Sequence, residues 1–259
     1  MGVLNVTPDS FSDGGRHFAA DGAMARGVEM VDSGAGVVDV GGESTRPGAA
    51  PVTVDEELRR IIPVIEQLAA RGVVVSVDTR HAETADRAVR SGASIINDVS
   101  GLRDSAMRSV AAEHDVPVVI MHMPVDDPAT MQQHAAYDDV VAAVCEFLRE
   151  QMALARADGV GQVIIDPGIG FGKNTAHNLE ILRRLDVIVD LGPPVMVGAS
   201  RKRFIGELTG APATSARAPG TLAAHLWAIS QGARIIRAHD VEAHAQAMRI
   251  WQDIVAFDV

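Results

Sequence analysis

The 259-residue sequence contains very little cysteine, few aromatic residues and no excess of basic charge. Cys145 is the only cysteine, which excludes an intrachain disulfide and a metal site built from several thiolates. Aromatic residues make up 3% of the chain, which argues against a stacking platform for single-stranded nucleic acid. The formal net charge of −11 argues against a general polyanion-binding surface. We therefore expect no nucleic-acid partner.

Long apolar runs are also missing from the sequence. No stretch reaches the roughly 18–20 apolar residues that cross a bilayer, and no signal peptide precedes the first apolar run. We therefore expect a protein that does not enter a membrane and that acts in the cytoplasm. Cys145 lies in a helical pattern beside Val144 and Phe147, where a small reduced core residue is expected.

The chain does contain short runs rich in Val and Ile that alternate with helical patterns. The predicted strands are Val3–Val6, Val37–Val40, Val73–Val77, Ser94–Ile96, Val116–Met121, Gln162–Ile165, Val195–Val197 and Arg234–Arg237. The predicted helices are Gly22–Ser33, Asp55–Ala70, Ala82–Ser91, Ala106–His114, Asp138–Asp158, Asn174–Leu185, Pro219–Gln231 and Val241–Val255. Runs that are apolar throughout are typical of parallel strands buried on both faces.

An eightfold β/α repeat over about 250 residues has the size of a TIM barrel. The sequence therefore predicts an α/β fold, a (β/α)8 TIM barrel formed by a single domain over residues 1–259. The main alternative is an open, doubly wound sheet. No Gly-x-Gly-x-x-Gly fingerprint follows the first strand, which weakens a dinucleotide-binding version of that alternative.

Polar residues lie at the end of every predicted strand or directly after it. They are Asn5, Asp39, Asp78, Asn97 with Asp98, His122 after Met121, Asp166, Ser200–Arg203 and Arg237–Asp240. The turns that lead into the strands, such as Arg71-Gly72, are short and carry no such groups. In a TIM barrel the active site lies at the carboxyl ends of the strands. This asymmetry therefore predicts an active site at that end.

Three consecutive cations stand at the start of a predicted short helix. Arg201, Lys202 and Arg203 follow the strand Val195–Val197 and the turn that contains Ser200. Cations are unfavourable at a helix N-terminus, which already carries partial positive charge. The arrangement therefore predicts a bound anion at this position.

Several of these residues also have a simpler interpretation. Asp39, Asp98 and Asp240 are interpreted as helix caps or turn formers rather than as catalysts. His122 fits a core histidine and a functional histidine equally well, and the remaining histidines are interpreted as structural. The simple interpretation does not explain why so many polar groups converge on one end of the barrel, namely Asp78, Asn97, Asp166, Lys202, Arg237 and His239.

The converging groups indicate the kind of ligand. Carboxylates and an asparagine suit a flat heterocycle with amine and amide edges, because a carboxylate accepts paired N–H bonds. Lys202, Arg237 and His239 suit a dianion such as a diphosphate. Asn5 can supply the one protein oxygen that a hydrated Mg²⁺ needs. Neither a His/Cys cluster for a transition metal nor Ser-His-Asp spacing for acyl transfer is present.

Seven motifs resemble, in the same order, those of the dihydropteroate synthase family. They are Asn5–Gly15, Gly41–Gly48, Val77–Thr79, Ile96–Asp98, Asp166–Phe171, Ser200–Arg203 and Arg237–Asp240. The resemblance covers the whole chain. It implies a TIM-barrel enzyme of folate biosynthesis, usually a homodimer, that is inhibited by sulfonamides. Such an enzyme joins 4-aminobenzoate to a 6-hydroxymethyl-dihydropterin diphosphate and releases diphosphate.

The resemblance also implies a role for individual residues. Asn5 matches the Mg²⁺ ligand, and the pterin contacts match Thr45, Asp78, Asn97, Asp166 and Lys202. The diphosphate end matches Arg237, Ala238 and His239. The aminobenzoate is expected to border Phe11, Arg46, Pro47 and Lys202, with Met121 and Phe171 packed on the faces of the rings. The catalytic set is Asp78, Asp166, Lys202, Arg237 and His239.

The chain departs from the family at three places. It begins at Met1 where relatives carry several more residues, Met123–Pro128 replaces a common Gln-Gly, and Arg203 replaces a common Ser. Two other functions stay open, a methyltetrahydrofolate methyltransferase-like barrel and a catalytically idle pterin-binding paralogue. The C-terminal helices with Trp227 and Trp251 are the expected dimer face.

Overall fold

The centre of the molecule is a ring of parallel strands. The computed structural model describes residues 1–7, 16–43, 52–125 and 130–256, and these ranges contain eight strands. They are β1 (Gly2–Asn5), β2 (Val38–Gly41), β3 (Val75–Asp78), β4 (Ile95–Asp98), β5 (Val118–Met121), β6 (Val163–Asp166), β7 (Met196–Val197) and β8 (Ile235–Ile236). The first six pair in sequential order, and β7 pairs with β8.

Two bridges close the ring. Ile165 pairs with Val195, which joins β6 to β7, and Gly2 pairs with Ala238, which joins β8 to β1. The strand order is therefore circular, and the predicted TIM barrel is confirmed. The open doubly wound sheet is excluded, because its outer strands would have no partner.

Helices surround the ring in the described ranges. They are α1 (Arg16–Asp32), α2 (Val54–Ala69), α3 (Ala82–Arg90), α4 (Ser105–Glu113), α5 (Val140–Ala157), α6 (Thr175–Arg183), α7 (Leu185–Val189), α8 (Arg203–Thr209), α9 (Ala218–Ser230) and α10 (Val241–Val255). Within these ranges no helix has both the length and the apolar composition needed to cross a membrane.

The helices differ most from the prediction at two places. The first begins at Arg16 rather than at Gly22, and the predicted Asn174–Leu185 is divided into α6 and α7. The short helix predicted after the Ser200 turn is confirmed, since α8 begins at Arg203 and lies between β7 and α9. The helix α2 agrees with its start signal, since Thr53 is the N-cap and its side chain accepts from Glu56 N at 3.3 Å.

Side chains alternate along each strand, and this alternation divides the core in two. Val38, Val40, Val75 and Val77 belong to the large apolar cluster that includes the helices. Val119, Ile164 and Met196 form a separate cluster. Because successive side chains in a strand point to opposite faces, this second cluster fills the inside of the barrel. Residues at the same alternating positions of the other strands therefore point into the barrel as well.

Candidate active site

The two-residue period of the strands explains why the polar groups meet. Asp39 lies between the helix-facing Val38 and Val40, and Asp78 follows the helix-facing Val77. By the same alternation Asn97 and Asp166 follow the helix-facing Ile96 and Ile165. Each polar residue therefore points into the barrel near the carboxyl end of its strand.

A cavity of about 890 Å³ lies above these groups at the carboxyl ends of the strands. Its wall includes six residues singled out from the sequence, namely Asn5, Asp78, Phe171, Lys202, Arg237 and His239. Four others are more deeply buried, with exposures of 3–4%, namely Asn97, Met121, Asp166 and Ala238. Phe11, Thr45, Arg46 and Pro47 lie outside the described residues.

Arg237 joins two carboxylates that come from different strands. Its Nε donates to Asp39 Oδ2 at 2.6 Å and its Nη2 donates to Asp78 Oδ2 at 2.6 Å. Asn97 Nδ2 also donates to Asp39 Oδ2, at 3.0 Å. The interpretation of Asp39 as a cap or turn former is wrong, because this carboxylate is fully buried within β2 and holds Arg237 and Asn97.

Asp78 and Arg237 differ in how readily their charge changes with pH. Burial raises the pKa of Asp78 to about 7, with Asp39 acting in the same direction and Arg237 opposing it. Burial lowers the pKa of Arg237, but the carboxylates of Asp39 and Asp78 outweigh it and raise that pKa above its usual value. Arg237 is therefore a permanent cation, whereas Asp78 changes its charge near neutral pH.

Asp166 is held by the loop that follows β6. Gly168 N donates to Asp166 Oδ1 at 2.7 Å, and burial raises the pKa of this carboxyl. Gly168 has φ +68°, and a Cβ placed there would lie 2.0 Å from His122 O. Only glycine permits this approach of the loop to the end of β5.

Lys202 and Phe171 form the other side of the cavity. The Nζ of Lys202 lies 3.9 Å from the centroid of the Phe171 ring, which is a cation–π distance. Burial lowers the pKa of Lys202 to about 8, and Arg237 acts in the same direction. Phe171 also packs beside Met121 in a small apolar cluster, so both predicted ring-packing residues belong to one surface.

Lys173 is a component of this region that the sequence analysis did not identify. Its side chain is 2% exposed and lines the cavity. Its Nζ lies 2.9 Å from His122 Nδ1 and donates to Gly168 O and Phe171 O, each at 2.9 Å. Burial lowers the pKa of Lys173 to about 7. Lys173 and Lys202 are the only lysines in the chain, and that rarity is a sequence signal by which Lys173 could have been found.

His122 is a core histidine and not a functional one. Its side chain is 3% exposed and meets Phe147 edge to face at 5.2 Å between ring centroids. Burial lowers the pKa of His122 to about 2, with Lys173 acting in the same direction. His122 is therefore a neutral core histidine that accepts a hydrogen bond from Lys173.

Ser200 and His239 join the ends of β7 and β8. Ser200 Oγ lies 2.9 Å from His239 Nδ1 and accepts from His239 N at 3.2 Å. Burial lowers the pKa of His239 to about 4, and Arg237 and Arg201 act in the same direction. His239 is therefore neutral near pH 7 and is available as a hydrogen-bonding group in the cavity wall.

The other cations of the Ser200–Arg203 segment have structural partners. Arg201 Nε donates to Asp240 Oδ2 at 3.0 Å, and Arg201 has φ +57°. Arg203 is 69% exposed in its side chain and pairs with Glu207 within α8. Lys202 is the N-cap of α8, which has only seven residues. Of the three cations, Lys202 is the one whose charge lies against the Phe171 ring of the cavity, whereas Arg201 and Arg203 pair with carboxylates.

Asp98 forms a turn and Asp240 occupies a helix N-cap position, as their sequence interpretation predicts. Asp98 accepts from Ser100 N at 2.8 Å and from Leu102 N at 2.9 Å, which forms the turn after β4. Asp240 occupies the N-cap position of α10, although its side chain pairs with Arg201 instead of the helix backbone.

Asn5 fits the predicted magnesium ligand in its chemistry and in its place. It ends β1 and lines the same cavity as Arg237 and His239. Its amide oxygen is the type of hard donor that Mg²⁺ accepts, and Mg²⁺ retains most of its waters and needs few protein ligands. In the described part of the chain no group of three or more His, Cys, Asp or Glu is arranged to hold a metal ion.

A family model described as pterin binding enzyme matches residues 1–239. The chain belongs to the pterin-binding enzyme family. Among its curated relatives is the dihydropteroate synthase of Escherichia coli (strain K12), which is 47% identical over 253 residues. That alignment covers 96% of this chain and 89% of the relative.

Solved structures of the family have the same fold. A dihydropteroate synthase of Xanthomonas albilineans with 4-aminobenzoic acid has a TM-score of 0.94 and 48% identity, and the match covers 100% of this chain and 93% of that one. Another structure of the enzyme from this organism, in complex with 7,8-dihydropteroate, has a TM-score of 0.91 and 46% identity, with coverage of 100% and 94%.

Proposed function

We propose that this chain is a dihydropteroate synthase, a transferase of folate biosynthesis. It condenses 6-hydroxymethyl-7,8-dihydropterin diphosphate with 4-aminobenzoate to give 7,8-dihydropteroate and diphosphate. The observation that carries the proposal is one cavity in which two kinds of group meet. Inward carboxylates and an amide lie at the ends of the strands, and the basic groups of Lys202, Arg237 and His239 line the same cavity. The close similarity to dihydropteroate synthases supports the same conclusion.

The inward carboxylates suit the pterin ring. Asp78, Asn97 and Asp166 come from the ends of β3, β4 and β6, and their side-chain oxygens accept hydrogen bonds from the amine and ring N–H groups of the heterocycle. The apolar surface of Met121 and Phe171 covers the faces of the rings. Thr45 is proposed as a further pterin contact.

The reaction breaks the bond between the pterin methylene carbon and a diphosphate oxygen. The methylene is conjugated with the pterin, so positive charge that develops on it is delocalised, and the carboxylates of Asp78 and Asp166 stabilise that charge. Arg237 and the neutral His239 donate hydrogen bonds to the leaving diphosphate. Asn5 holds Mg²⁺, which supplies further positive charge to the diphosphate when it is bound.

The methylene carbon then forms a bond with the nitrogen of 4-aminobenzoate, and that nitrogen loses a proton to water. An aniline nitrogen is neutral near pH 7, so the attack needs no strong base. Lys202 and the Phe171 ring hold the aminobenzoate beside the methylene carbon. Phe11, Arg46 and Pro47 are proposed to complete this side and to exclude water, which otherwise captures the carbon.

An assay of the purified chain tests the proposal. The pterin diphosphate, 4-aminobenzoate and Mg²⁺ are mixed with the protein, and diphosphate and 7,8-dihydropteroate are measured. We expect equal amounts of both products, and we expect a sulfonamide to inhibit in competition with 4-aminobenzoate.

Two other outcomes identify the alternatives. Binding of the pterin diphosphate without product indicates an idle pterin-binding paralogue. Methyl transfer from methyltetrahydrofolate, without condensation, indicates the methyltransferase-like barrel. Either result rejects the proposed activity while leaving the family assignment intact.

We infer that the chain also forms a homodimer through its C-terminal helices. An apolar groove of about 430 Å³ lies between α6, α8 and α9, where Leu208 is 56% exposed and Trp227 is 49% exposed. Sedimentation should give twice the monomer mass, and Leu208→Arg should give the monomer. Val74→Arg is the control, since Val74 is an exposed apolar residue outside this groove, and it should leave the dimer intact. A monomeric wild-type chain contradicts this inference.

A cytoplasmic location is part of the proposal. Cys145 is a free and buried thiol, which suits a reducing compartment.

A further inference from the structure

Two buried histidines connect the loops that follow β7 and β8. His225 on α9 is 1% exposed and His244 on α10 is 6% exposed. His225 Nε2 accepts from the backbone N–H of Ala199 at 2.9 Å. His225 Nδ1 lies 2.8 Å from His244 Nε2, and His244 Nδ1 lies 2.7 Å from the carbonyl oxygen of Asp240. The connection thus runs from one loop to the other through two side chains.

Only one arrangement of protons satisfies every member of this connection. The Ala199 N–H is a donor, so His225 Nε2 must be unprotonated and its proton is on Nδ1. His225 Nδ1–H then donates to His244 Nε2, which must also be unprotonated. His244 Nδ1–H donates in turn to the Asp240 carbonyl, which can only accept. Both rings are therefore neutral and carry their proton on Nδ1.

The ends of the connection adjoin two groups of the cavity wall. Ala199 precedes Ser200, and Asp240 follows His239. Ser200 Oγ and His239 Nδ1 are 2.9 Å apart, which makes a second link between the same two loops. The histidine pair thus stabilises the contact between Ser200, in the turn that leads to Lys202, and His239, which is proposed to bind the diphosphate.

We propose that His225 and His244 are positioning residues, whose neutral pair fixes the turn at Ser200 relative to His239 and so sets the geometry for departure of the diphosphate. This role rests on the proposed function. Within the described part of the chain, neither ring lines the cavity. The pair therefore acts through Ala199 and Asp240 rather than on the substrates.

Protonation of either ring is incompatible with this connection. A second proton on His244 would meet His225 Nδ1–H, and a second proton on His225 would meet Ala199 N–H. The charged groups that face the neutral pair are the Asp240 carboxylate and the amino group of Met1. Burial lowers the pKa of His225 to about 3, and it also lowers the pKa of His244.

Nuclear magnetic resonance on the full-length chain tests the hydrogen bonds directly. Long-range ¹⁵N–¹H spectra of ¹⁵N-histidine-labelled protein distinguish the two neutral tautomers and the protonated ring. We expect both rings to be Nδ1–H tautomers and to stay neutral at pH 5.5. A protonated ring, or an Nε2–H tautomer in either position, overturns the proposal.

Kinetics test the positioning role. His225→Phe removes the acceptor for Ala199, whereas His225→Gln retains an amide oxygen that can accept the same bond. We expect His225→Phe to lower kcat/KM by about tenfold to 100-fold, which is the range for a displaced reactive geometry. The loss should fall mainly on kcat, and His225→Gln should recover most of it. His114→Phe is the control, because His114 pairs with Asp86 elsewhere, and it should stay within about twofold of the wild type.

The outcomes separate this role from the proposed function. A wild-type chain that makes no dihydropteroate rejects the proposed function and the positioning role with it. An active wild type with a folded His225→Phe of unchanged kcat/KM overturns the positioning role alone. If His225→Phe does not fold, the tautomers of the wild-type rings decide the question.

Discussion

Lys173 Nζ lies 2.9 Å from His122 Nδ1 and thereby joins the loop after β6 to the end of β5. Lys173 Nζ also donates to Gly168 O and Phe171 O, so the three N–H groups of its ammonium form match three acceptors at 2.9 Å. Since Phe171 lies against Lys202, Lys173 positions a ring of the predicted site.

Lys173→Met should lower the free energy of unfolding by about 2–4 kcal/mol, because it leaves several buried acceptors without a donor. It should also raise KM for the pterin diphosphate, because the Phe171 loop loses its anchor. Urea unfolding and steady-state kinetics measure the two effects. The control is Tyr137→Phe, which removes another bond to this loop, that of Tyr137 Oη to Gly172 O at 3.1 Å. It should cost about 1 kcal/mol, and equal effects of the two variants would contradict the special role of Lys173.

Lys202 and Arg203 are adjacent cations with opposite expected importance. Lys202 is directed at the cavity and contacts Phe171, whereas Arg203 is exposed and pairs with Glu207. Lys202→Met should lower kcat/KM by at least about tenfold, equivalent to about 1.4 kcal/mol of transition-state stabilisation. Arg203→Met should change it by less than about threefold. Similar losses in both variants would indicate a general electrostatic effect of the segment in place of a specific contact by Lys202.

Asp78 should make binding of the pterin depend on pH near neutrality. Its pKa of about 7 lies above the ordinary aspartate value, so the carboxyl takes up a proton when the pH falls through 7 rather than through 4. The ionised form is the better acceptor for the N–H groups of the pterin. Affinity for 6-hydroxymethyl-dihydropterin, which carries no phosphate that titrates, should therefore decrease as pH falls from 8 to 6.

Calorimetric titrations at several pH values measure this decrease. Below the pKa of Asp78 the affinity should fall by at most about tenfold for each pH unit. Asp78→Asn should bind more weakly, and it should lose the decrease in affinity between pH 8 and pH 6. If the wild-type affinity is constant between pH 6 and 8, ionisation of Asp78 does not control pterin binding.

The barrel and most of the site could be predicted because both depend on local pattern. Apolar runs identify parallel strands, and the polar residue at the end of each run must reach the same edge of the sheet. Asp78, Asn97 and Asp166 were found in this way. The ends of the helices were less accurate, since α1 begins at Arg16 rather than at Gly22 and one predicted helix is divided into α6 and α7.

Long-range partners could not be predicted from local pattern. The sequence favours a cap or turn former at Asp39, because a single aspartate near the end of an apolar run gives the same sequence pattern whether it caps a helix or binds a distant arginine. Its partner Arg237 is 198 positions away in the sequence. Lys173 was missed for the same reason, since its acceptor His122 is 51 positions away and only the closed barrel brings them together.

Asn5 and Asn97 provide a matched test of the magnesium site. Asn5 lines the cavity at the end of β1, whereas Asn97 is buried in β4 and donates to Asp39 at 3.0 Å. Asn5→Ala should raise the Mg²⁺ concentration needed for half-maximal activity by about tenfold, which corresponds to about 1.4 kcal/mol for one lost ligand. Asn97→Ala should instead raise KM for the pterin diphosphate and leave the Mg²⁺ requirement unchanged.

Calorimetry with Mg²⁺ and inorganic diphosphate gives a readout that does not depend on turnover. Wild type and Asn97→Ala should bind diphosphate more tightly when Mg²⁺ is present, and Asn5→Ala should lose most of that difference. Binding of diphosphate without Mg²⁺ should persist in all three proteins, because Arg237 and His239 are unchanged. If Asn5→Ala keeps the full effect of Mg²⁺, the ion is held by other oxygens and Asn5 is not its ligand.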